Sequence, residues 1–269
     1  MIAVVDYQKG NLKSVERGLI AAGGEAFITA DASEIAKADA IVLPGVGAFA
    51  DAAATMCELG QMEAIRDRVR AGVPFLGICL GEHLMFEHGV EGAPEGNPAC
   101  GLGLLPGTVV AMPCCDAQGK TFKVPHVGWN TIEMPACNGG AAVPSCGGVG
   151  GNAVLSSGGA GGGAARSSAA KRGLSEHGAF PGSAPQAGSE LAFACPLFDG
   201  IAPGEYFYFT HSYIAPTGSH TIAETTHSTR FTSAVQFGER AFGVQFHPEK
   251  SSDAGARVLA NFVAIAARG

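Results

Sequence analysis

PFLGICLGEHLMFEHG, residues 74–89, joins an apolar run to a cysteine that stands between Gly77 and Gly81. Phe75–Ile78 is typical of a buried strand, and a helix-like pattern begins directly after Cys79. Where a parallel strand turns tightly into a helix, the residue at the bend is exposed above the sheet edge, and flanking glycines permit the strained backbone. The stretch therefore predicts a nucleophilic thiol, whose thiolate form the N-terminus of the helix would favour. The alternative is a buried structural cysteine in a glycine-flanked turn.

Short apolar runs alternate with helical patterns through the first part of the chain. IAVVDY (2–7), EAFITA (25–30), ADAIVLPG (38–45) and GVPFLGI (72–78) are predicted strands, and residues 61–71 are a predicted helix. After the first strand Leu12, Val15, Leu19 and Ile20 share one helical face, with Asn11 as the N-cap and Gly23 near the C-terminal end. This alternation predicts an α/β fold with an open, mostly parallel sheet and helices on both faces.

The later segments are shorter and richer in Val, Thr and Phe, which predicts an antiparallel extension from about residue 103 onward. AFGVQF (241–246) is another predicted buried strand, and residues 253–267 are a predicted closing helix. Residues 135–194 differ, because Gly, Ala and Ser dominate them and bury too little apolar surface to offset the entropy of ordering. We therefore predict one domain over residues 1–269 that carries a disordered insertion at 135–194.

Composition excludes several classes of protein. The net charge of −7 over 269 residues argues against a nucleic-acid or anionic-membrane surface. No apolar run approaches the roughly 18 residues of a membrane span, and the N-terminal residues lack the pattern of a signal peptide. None of the eight cysteines forms a C-x-x-C pair, so a reduced, cytoplasmic protein is expected.

A general base and its orienting group are found in VQFHPEK (244–250), directly after an apolar strand. Pro248 disfavours helical angles at His247, and in an extended segment His247 and Glu249 would share a face. Such a pair suits an imidazole held by a carboxylate at the carboxyl-terminal rim of the sheet, where α/β folds bind ligands. His83 and Glu87 stand at helical i, i+4 spacing, but without further ligands we expect no metal site there.

LPGVGAF (43–49) also follows a predicted strand. Its successive glycines let main-chain N–H groups turn toward an anion or oxyanion, although a tight βα turn would explain them too.

Together these segments resemble the class I (triad-type) glutamine amidotransferases, which have a flavodoxin-like sheet. The closer resemblance is to glutaminase subunits of imidazole glycerol phosphate synthase, in histidine biosynthesis. It is carried by DYQKGNLKSV (6–15), LPGVGAF, GICLG (77–81), KVPHVGWN (123–130), YFYFTHSY (206–213) and QFHPEKS (245–251).

The resemblance implies Cys79 as nucleophile, His247 as general base and acid, and Glu249 as its orienting partner. The backbone N–H of Leu80 and one near Val46 and Gly47 would form the oxyanion hole. The implied glutamine-binding residues are Gly45, His83, His211, Ser212 and Tyr213. The implied residues at or near a partner interface are Asn11, Trp129 and Lys250. Neither a metal nor a cofactor is implied.

The implied reaction is hydrolysis of L-glutamine through a γ-glutamyl thioester. The family's partner is a (β/α)8 cyclase subunit that receives ammonia through an internal channel. The alternatives are another triad glutaminase (anthranilate, carbamoyl phosphate or GMP type), a stand-alone cysteine hydrolase, and a non-catalytic scaffold.

One departure from the family lies beside the nucleophile, where relatives usually carry Met-Gln and this chain carries Glu82-His83. His83 would still offer a hydrogen bond, and Glu82 would suit the helix dipole or else disfavour the thiolate. Intact triad chemistry with altered glutamine affinity is the expected result.

Overall fold

The computed structural model describes residues 1–135 and 192–268. Within them the strands are β1 (Ile2–Val5), β2 (Ala26–Thr29), β3 (Ala40–Gly45), β4 (Phe75–Cys79), β5 (Phe86–Gly89), β6 (Ala99–Cys100), β7 (Leu105–Ala111), β8 (His126–Thr131), β9 (Tyr206–His211), β10 (Tyr213–Ile214), β11 (Thr221–Thr226), β12 (Arg230–Phe237) and β13 (Ala241–Val244). The helices are α1 (Leu12–Ala21), α2 (Ala32–Ile35), α3 (Phe49–Glu58), α4 (Gln61–Arg70), α5 (Leu80–His83) and α6 (Ser252–Ala266).

A seven-stranded sheet in the order β11-β12-β13-β4-β3-β1-β2 forms the centre of the fold. Five neighbouring strands of this sheet, β2, β1, β3, β4 and β13, run parallel to one another. Beyond β13 the sheet continues with β12 and β11, each antiparallel to its neighbour. The predicted fold, an open and mostly parallel sheet with an antiparallel extension, is confirmed.

Helices cover both faces of this sheet, because its strands are apolar on both sides. On one face α1 and α6 contribute Val15, Leu19, Val258 and Phe262 to the core. On the other face α2, α3 and α4 contribute a second set of buried apolar side chains, which includes Ile35, Met56 and Ile65. None of the helices in the described residues combines the length and hydrophobicity needed to cross a bilayer.

Local predictions for two helices need correction. In α1, Val15 and Leu19 are buried as expected, but Ile20 is 52% exposed. Asn11 occupies the N-cap position, yet its side chain makes no capping hydrogen bond. Helix α3 was not predicted, since its alanine-rich FADAAATMCE segment gives a weaker helical pattern than its neighbours.

The helix after Cys79 is much shorter than the sequence pattern suggested. α5 is a single turn, and the chain re-enters a strand at Phe86. That strand, β5, belongs to a small four-stranded sheet in the order β10-β7-β5-β6.

A two-stranded antiparallel ribbon, β8 paired with β9, has two different faces. Directly opposed residues such as Trp129 and Tyr208 share its outer face, where Val127, Trp129 and Tyr206 are 41–56% exposed. The inner face carries His126, Phe207, Phe209 and His211, which are buried. One face of the ribbon is therefore an exposed apolar surface, and the other face packs into the protein interior.

Most of the predicted insertion at 135–194 lies outside the described residues. Near its predicted end Phe193 is buried, and its ring centroid lies 4.8 Å from that of Phe198. The core therefore resumes at this phenylalanine.

Candidate active site

The candidate site lies where three neighbouring parallel strands end. β4 stands between β3 and β13 in the sheet, and Gly45 of β3 is the Cα partner of Cys79 of β4. On the other side Val244 of β13 pairs with Ile78, and the chain reaches His247 three residues later. The predicted nucleophile, base and oxyanion strand therefore occur at one sheet edge.

Backbone strain and close packing distinguish the corner at Cys79. Its φ of 53° and ψ of −106° lie in a region that L-residues rarely adopt. A Cβ added at Gly81 would overlap the carbonyl oxygen of Leu43 on β3. Glycine is thus required at position 81 because the turn passes directly against the neighbouring strand.

Glu249 holds His247 through a buried ion pair. Nδ1 of His247 lies 3.0 Å from Oε1 of Glu249, and the two side chains are 3% and 2% exposed. His247 is extended, but Glu249 lies in the 3₁₀ turn Pro248–Lys250. The expectation that both residues occupy one extended segment was wrong, and the tight turn brings the carboxylate to the ring instead.

The electrostatics of His247 favour an imidazolium. Burial lowers the pKa of the ring, but the negative charges of Cys79 and Glu249 and the hydrogen bond to Glu249 outweigh burial and raise it to about 9. Nε2 is buried without a fixed hydrogen-bond partner in the described structure. This nitrogen is available to exchange a proton with Cys79 or a bound substrate.

A cavity of about 440 Å³ opens beside Cys79. Eight predicted site residues line it, namely Val46, Gly47, Cys79, Leu80, His83, His211, Ser212 and Tyr213. Glu91 lines it as well and was missed, because nothing in the surrounding sequence marks it. Burial, followed by the nearby charge of Asp51, raises the pKa of the Glu91 carboxyl.

Gly45 lies beside this cavity at the end of β3. A Cβ there would overlap the hydroxyl of Tyr7 and would lie 2.8 Å from the Cβ of Leu80. Tyr7 is fully buried, and burial together with the charge of Cys79 raises its pKa. The close packing of Tyr7, Gly45 and Leu80 fixes the end of β3 against the corner.

His83 and Glu82 are both buried beneath Cys79. Nε2 of His83 lies 2.6 Å from Oε1 of Gln245, and burial lowers the pKa of the ring to about 4 despite this hydrogen bond. Glu82 is fully buried and neither of its carboxyl oxygens has a hydrogen-bond partner in the described structure. Burial, followed by the charge of Cys79, raises the pKa of Glu82 well above its ordinary value. Glu82 is therefore not the ionised helix-dipole partner that the sequence suggested.

The i, i+4 spacing of His83 and Glu87 has no helical meaning here, since Glu87 lies in β5 and accepts a hydrogen bond from the Gly107 N–H. Within residues 1–135 and 192–268 no group of three His, Cys, Asp or Glu side chains is arranged to hold a metal ion.

His211 and His126 form a chain of neutral rings. Nδ1 of His211 donates to the Tyr213 carbonyl oxygen at 2.8 Å, so its Nε2 accepts from Nδ1 of His126 at 3.1 Å. Burial lowers the pKa of His211 to about 3, and that of His126 to about 4. His211 therefore offers the cavity an uncharged ring in one fixed tautomer.

The predicted interface residues all lie at the surface. Trp129 and Lys250 flank Tyr208, with the indole ring edge-on at 6.1 Å and the Lys250 Nζ 6.0 Å from the ring centroid. Asn11 is exposed at the start of α1.

Comparisons with known proteins agree with this geometry. A sequence model of the family "Glutamine amidotransferase class-I" matches residues 3–142 and 155–266. The chain is 36% identical over 263 residues to the imidazole glycerol phosphate synthase subunit HisH of Moorella thermoacetica, covering 97% of this chain and 93% of that protein. It is 35% identical over 264 residues to the subunit of the same name from Rhodopirellula baltica, with 97% and 96% coverage.

Solved structures share the fold at lower sequence identity. A glutamine amidotransferase crystal structure aligns with a TM-score of 0.58 and 16% identity, covering 99% of this chain and all of that one. The glutaminase domain of Trypanosoma brucei CTPS aligns with a TM-score of 0.55 and 15% identity, covering 99% and 93%. Because the family's sequence model and the HisH relatives both extend over nearly the whole length, the chain belongs to the class I glutamine amidotransferases, among the HisH subunits of imidazole glycerol phosphate synthase.

Proposed function

We propose that this glutaminase subunit hydrolyses L-glutamine at Cys79 and delivers the ammonia to a separate (β/α)8 cyclase subunit, which makes imidazole glycerol phosphate and AICAR in histidine biosynthesis. The observation that carries the proposal is the arrangement at one sheet edge of a strained cysteine, a histidine and a buried glutamate. No metal or cofactor is needed, because a thiolate and an imidazolium suffice for amide cleavage.

The chemistry proceeds in two steps. The Cys79 thiolate attacks the side-chain amide carbon of glutamine, and His247 gives its proton to the departing ammonia, which leaves a γ-glutamyl thioester. His247 then takes a proton from water, whose oxygen attacks the thioester and releases glutamate. Glu249 keeps the ring oriented and stabilises its charged form in both steps.

The walls of the cavity supply groups for oxyanion and substrate binding. The Leu80 backbone N–H and one from Val46 or Gly47 are proposed to stabilise the oxyanion, and removing such a donor typically costs about 3 kcal/mol. Glu91 is proposed to bind the α-ammonium group of glutamine, since its carboxylate lies at the cavity wall. Gly45, His83, His211, Ser212 and Tyr213 are proposed to complete the substrate site.

The outer face of the β8–β9 ribbon is proposed as the cyclase-binding surface. Its exposed Val127, Trp129 and Tyr206 are apolar or aromatic, the composition of energetically important interface residues. Lys250 and Trp129 both lie beside the ring of Tyr208. Asn11 is proposed to lie at the edge of this surface. A docked cyclase would shield ammonia from water and receive it through a channel.

Residues 1–269 are proposed to form a single glutaminase domain into which 135–194 are inserted. A reduced, cytoplasmic setting is proposed for the heterodimer. The six described cysteines are free thiols, which is consistent with that setting.

The test is a glutaminase assay of the chain alone and with its co-purified cyclase subunit. We expect glutamate release to rise at least tenfold with the cyclase, and Cys79→Ser to abolish it in the complex. Full activity without the cyclase would favour a stand-alone hydrolase. Stimulation by an anthranilate, carbamoyl phosphate or GMP synthase instead would favour another triad glutaminase.

A further inference from the structure

The side chain of Gln245 bridges the His83 ring and the sulfur of Cys79. Its Oε1 lies 2.6 Å from Nε2 of His83, and its Nε2 lies 3.6 Å from Sγ of Cys79. Gln245 is fully buried and His83 is 3% exposed, so bulk water does not compete for either contact. Gln245 has no part in the two-step chemistry described above.

The direction of these hydrogen bonds follows from donor and acceptor chemistry. Because burial keeps the His83 ring neutral at pH 7, one ring nitrogen carries a proton and the other does not. The amide oxygen of Gln245 is only an acceptor, so Nε2 of His83 is the protonated nitrogen. The amide Nε2 of Gln245 is only a donor and points its N–H at Cys79 Sγ. The chain of donors therefore runs from His83 through Gln245 to the sulfur, and in its thiol form Cys79 donates in turn to the Thr210 carbonyl oxygen at 3.9 Å.

A donor aimed at sulfur stabilises the thiolate more than the thiol, since a hydrogen bond strengthens when its acceptor is charged. We infer that Gln245 is a further catalytic residue, which donates to Cys79, and that His83 is a positioning residue, which fixes the amide of Gln245 in the donating orientation. The inference rests on Cys79 being the nucleophile proposed above.

The titratable groups around Cys79 do not cancel this effect. Burial raises the pKa of the Glu82 carboxyl well above its ordinary value, which disfavours a carboxylate charge that would oppose the thiolate. Tyr7 is held neutral by burial, and His247 supplies positive charge. Gln245 is thus a neutral donor that complements His247 on another side of the sulfur.

The test measures the pH profile of Cys79 alkylation by iodoacetamide in the full chain, without glutamine. Mass spectrometry of the Cys79 peptide is needed, because Cys57, Cys100, Cys114, Cys115 and Cys195 are also free thiols. We expect Gln245→Leu to slow alkylation at pH 7 roughly tenfold, the size expected for loss of a hydrogen bond to a charged group. Its profile should shift to higher pH, whereas a merely structural role would leave the profile in place.

Variants of His83 test the relay. His83→Phe keeps an aromatic ring without the donor, and should slow alkylation roughly threefold at pH 7. His83→Gln should recover most of the rate because its amide can donate to Gln245. The double variant Gln245→Leu/His83→Phe should be no slower than Gln245→Leu alone, since in the absence of glutamine His83 affects Cys79 only through Gln245.

Met85→Leu is the matched control, because Met85 is equally buried next to Glu82 and His83 and has no polar contact to lose. If Gln245→Leu fails to fold, Gln245→Glu keeps the side-chain shape and replaces the donor by an acceptor, and should slow alkylation still more. A wild-type profile in any folded Gln245 variant, or additive losses in the double variant, would overturn the inference. Glutaminase activity in Cys79→Ser would instead overturn the proposed nucleophile, so the two failures are distinguishable.

Discussion

Replacing the buried Glu82 by glutamine should stabilise the protein, and the gain should grow with pH. Glu82 is fully buried, both of its oxygens lack partners in the described structure, and burial raises its pKa well above 4.5. Folding raises the pKa of this carboxyl group above the value it has in the unfolded chain. Below the unfolded-state pKa the group makes its full contribution to the free energy of unfolding. As pH rises from there to the folded-state pKa that contribution is lost, because the carboxyl group ionises in the unfolded chain first.

The magnitude follows from linkage. Between pH 4.5 and the raised pKa of the folded state, the unfolding free energy contributed by Glu82 falls by about 1.4 kcal/mol per pH unit. Glu82→Gln removes this titration but keeps a polar side chain of the same shape. Glu82→Met removes the titration and also the two unpartnered oxygens, whose burial typically costs about 1–3 kcal/mol.

The assay is urea unfolding of wild type and both variants from pH 4.5 to 8. At pH 4.5 wild type and Glu82→Gln should be nearly equally stable, and the variant should become more stable with each pH unit above that. The free energy of unfolding of Glu82→Met should exceed that of Glu82→Gln by an amount that does not change with pH. A constant difference between wild type and Glu82→Gln across the range would show that Glu82 is ionised in the folded protein and refute the reasoning.

Three further predictions concern other parts of the site. Gly81→Ala should cost about 3 kcal/mol of stability in urea unfolding, because the new methyl group overlaps the Leu43 carbonyl oxygen; wild-type stability would contradict the packing of the corner. In the cyclase complex, Glu91→Gln should raise the KM for glutamine roughly tenfold and change kcat by no more than about twofold. The reason is that Glu91 has the one carboxylate among the described residues that line the cavity. A fall in kcat with an unchanged KM would remove Glu91 from substrate binding. His83 and His211 have pKa values lowered by burial from 6.5 to about 4 and about 3. Each neutral ring makes its full contribution to the free energy of unfolding above pH 6.5. As pH falls from 6.5 toward 4 that contribution should drop by about 1.4 kcal/mol per pH unit for each histidine, because the unfolded chain takes up the proton first. Urea unfolding of His83→Gln should show a shallower acid slope, and an unchanged slope would contradict a neutral His83.

The parallel strands were predictable because each is a short, mostly apolar run of four to six residues. Cys79, His247 and Gly45–Gly47 were expected at one edge because each follows a predicted strand of a parallel sheet. Sequence did not predict the single-turn length of α5, because the apolar residues after Cys79 suit either a helix or a buried strand. It also missed the burial of Glu82, since a carboxylate early in a helix ordinarily faces water.

Gln245 and Glu91 show two different limits of sequence reasoning. Gln245 lies inside the motif QFHPEKS, but its contact with Cys79 depends on a sheet register that joins residues far apart in the chain. Glu91 lies in a loop after β5 and has no distinguishing neighbours, so only the folded cavity identifies it.

The placement of β4 between β3 and β13 has a consequence for how the enzyme matures. β3 and β4 are near each other in the sequence, whereas β13 begins at residue 241 and joins its neighbour only after a long segment has been synthesised. Long-range pairings of this kind form slowly. A nascent or refolding chain therefore carries Cys79 without His247 beside it until this last central strand docks, and any hydrolysis that needs both residues can begin only once β13 has joined the sheet.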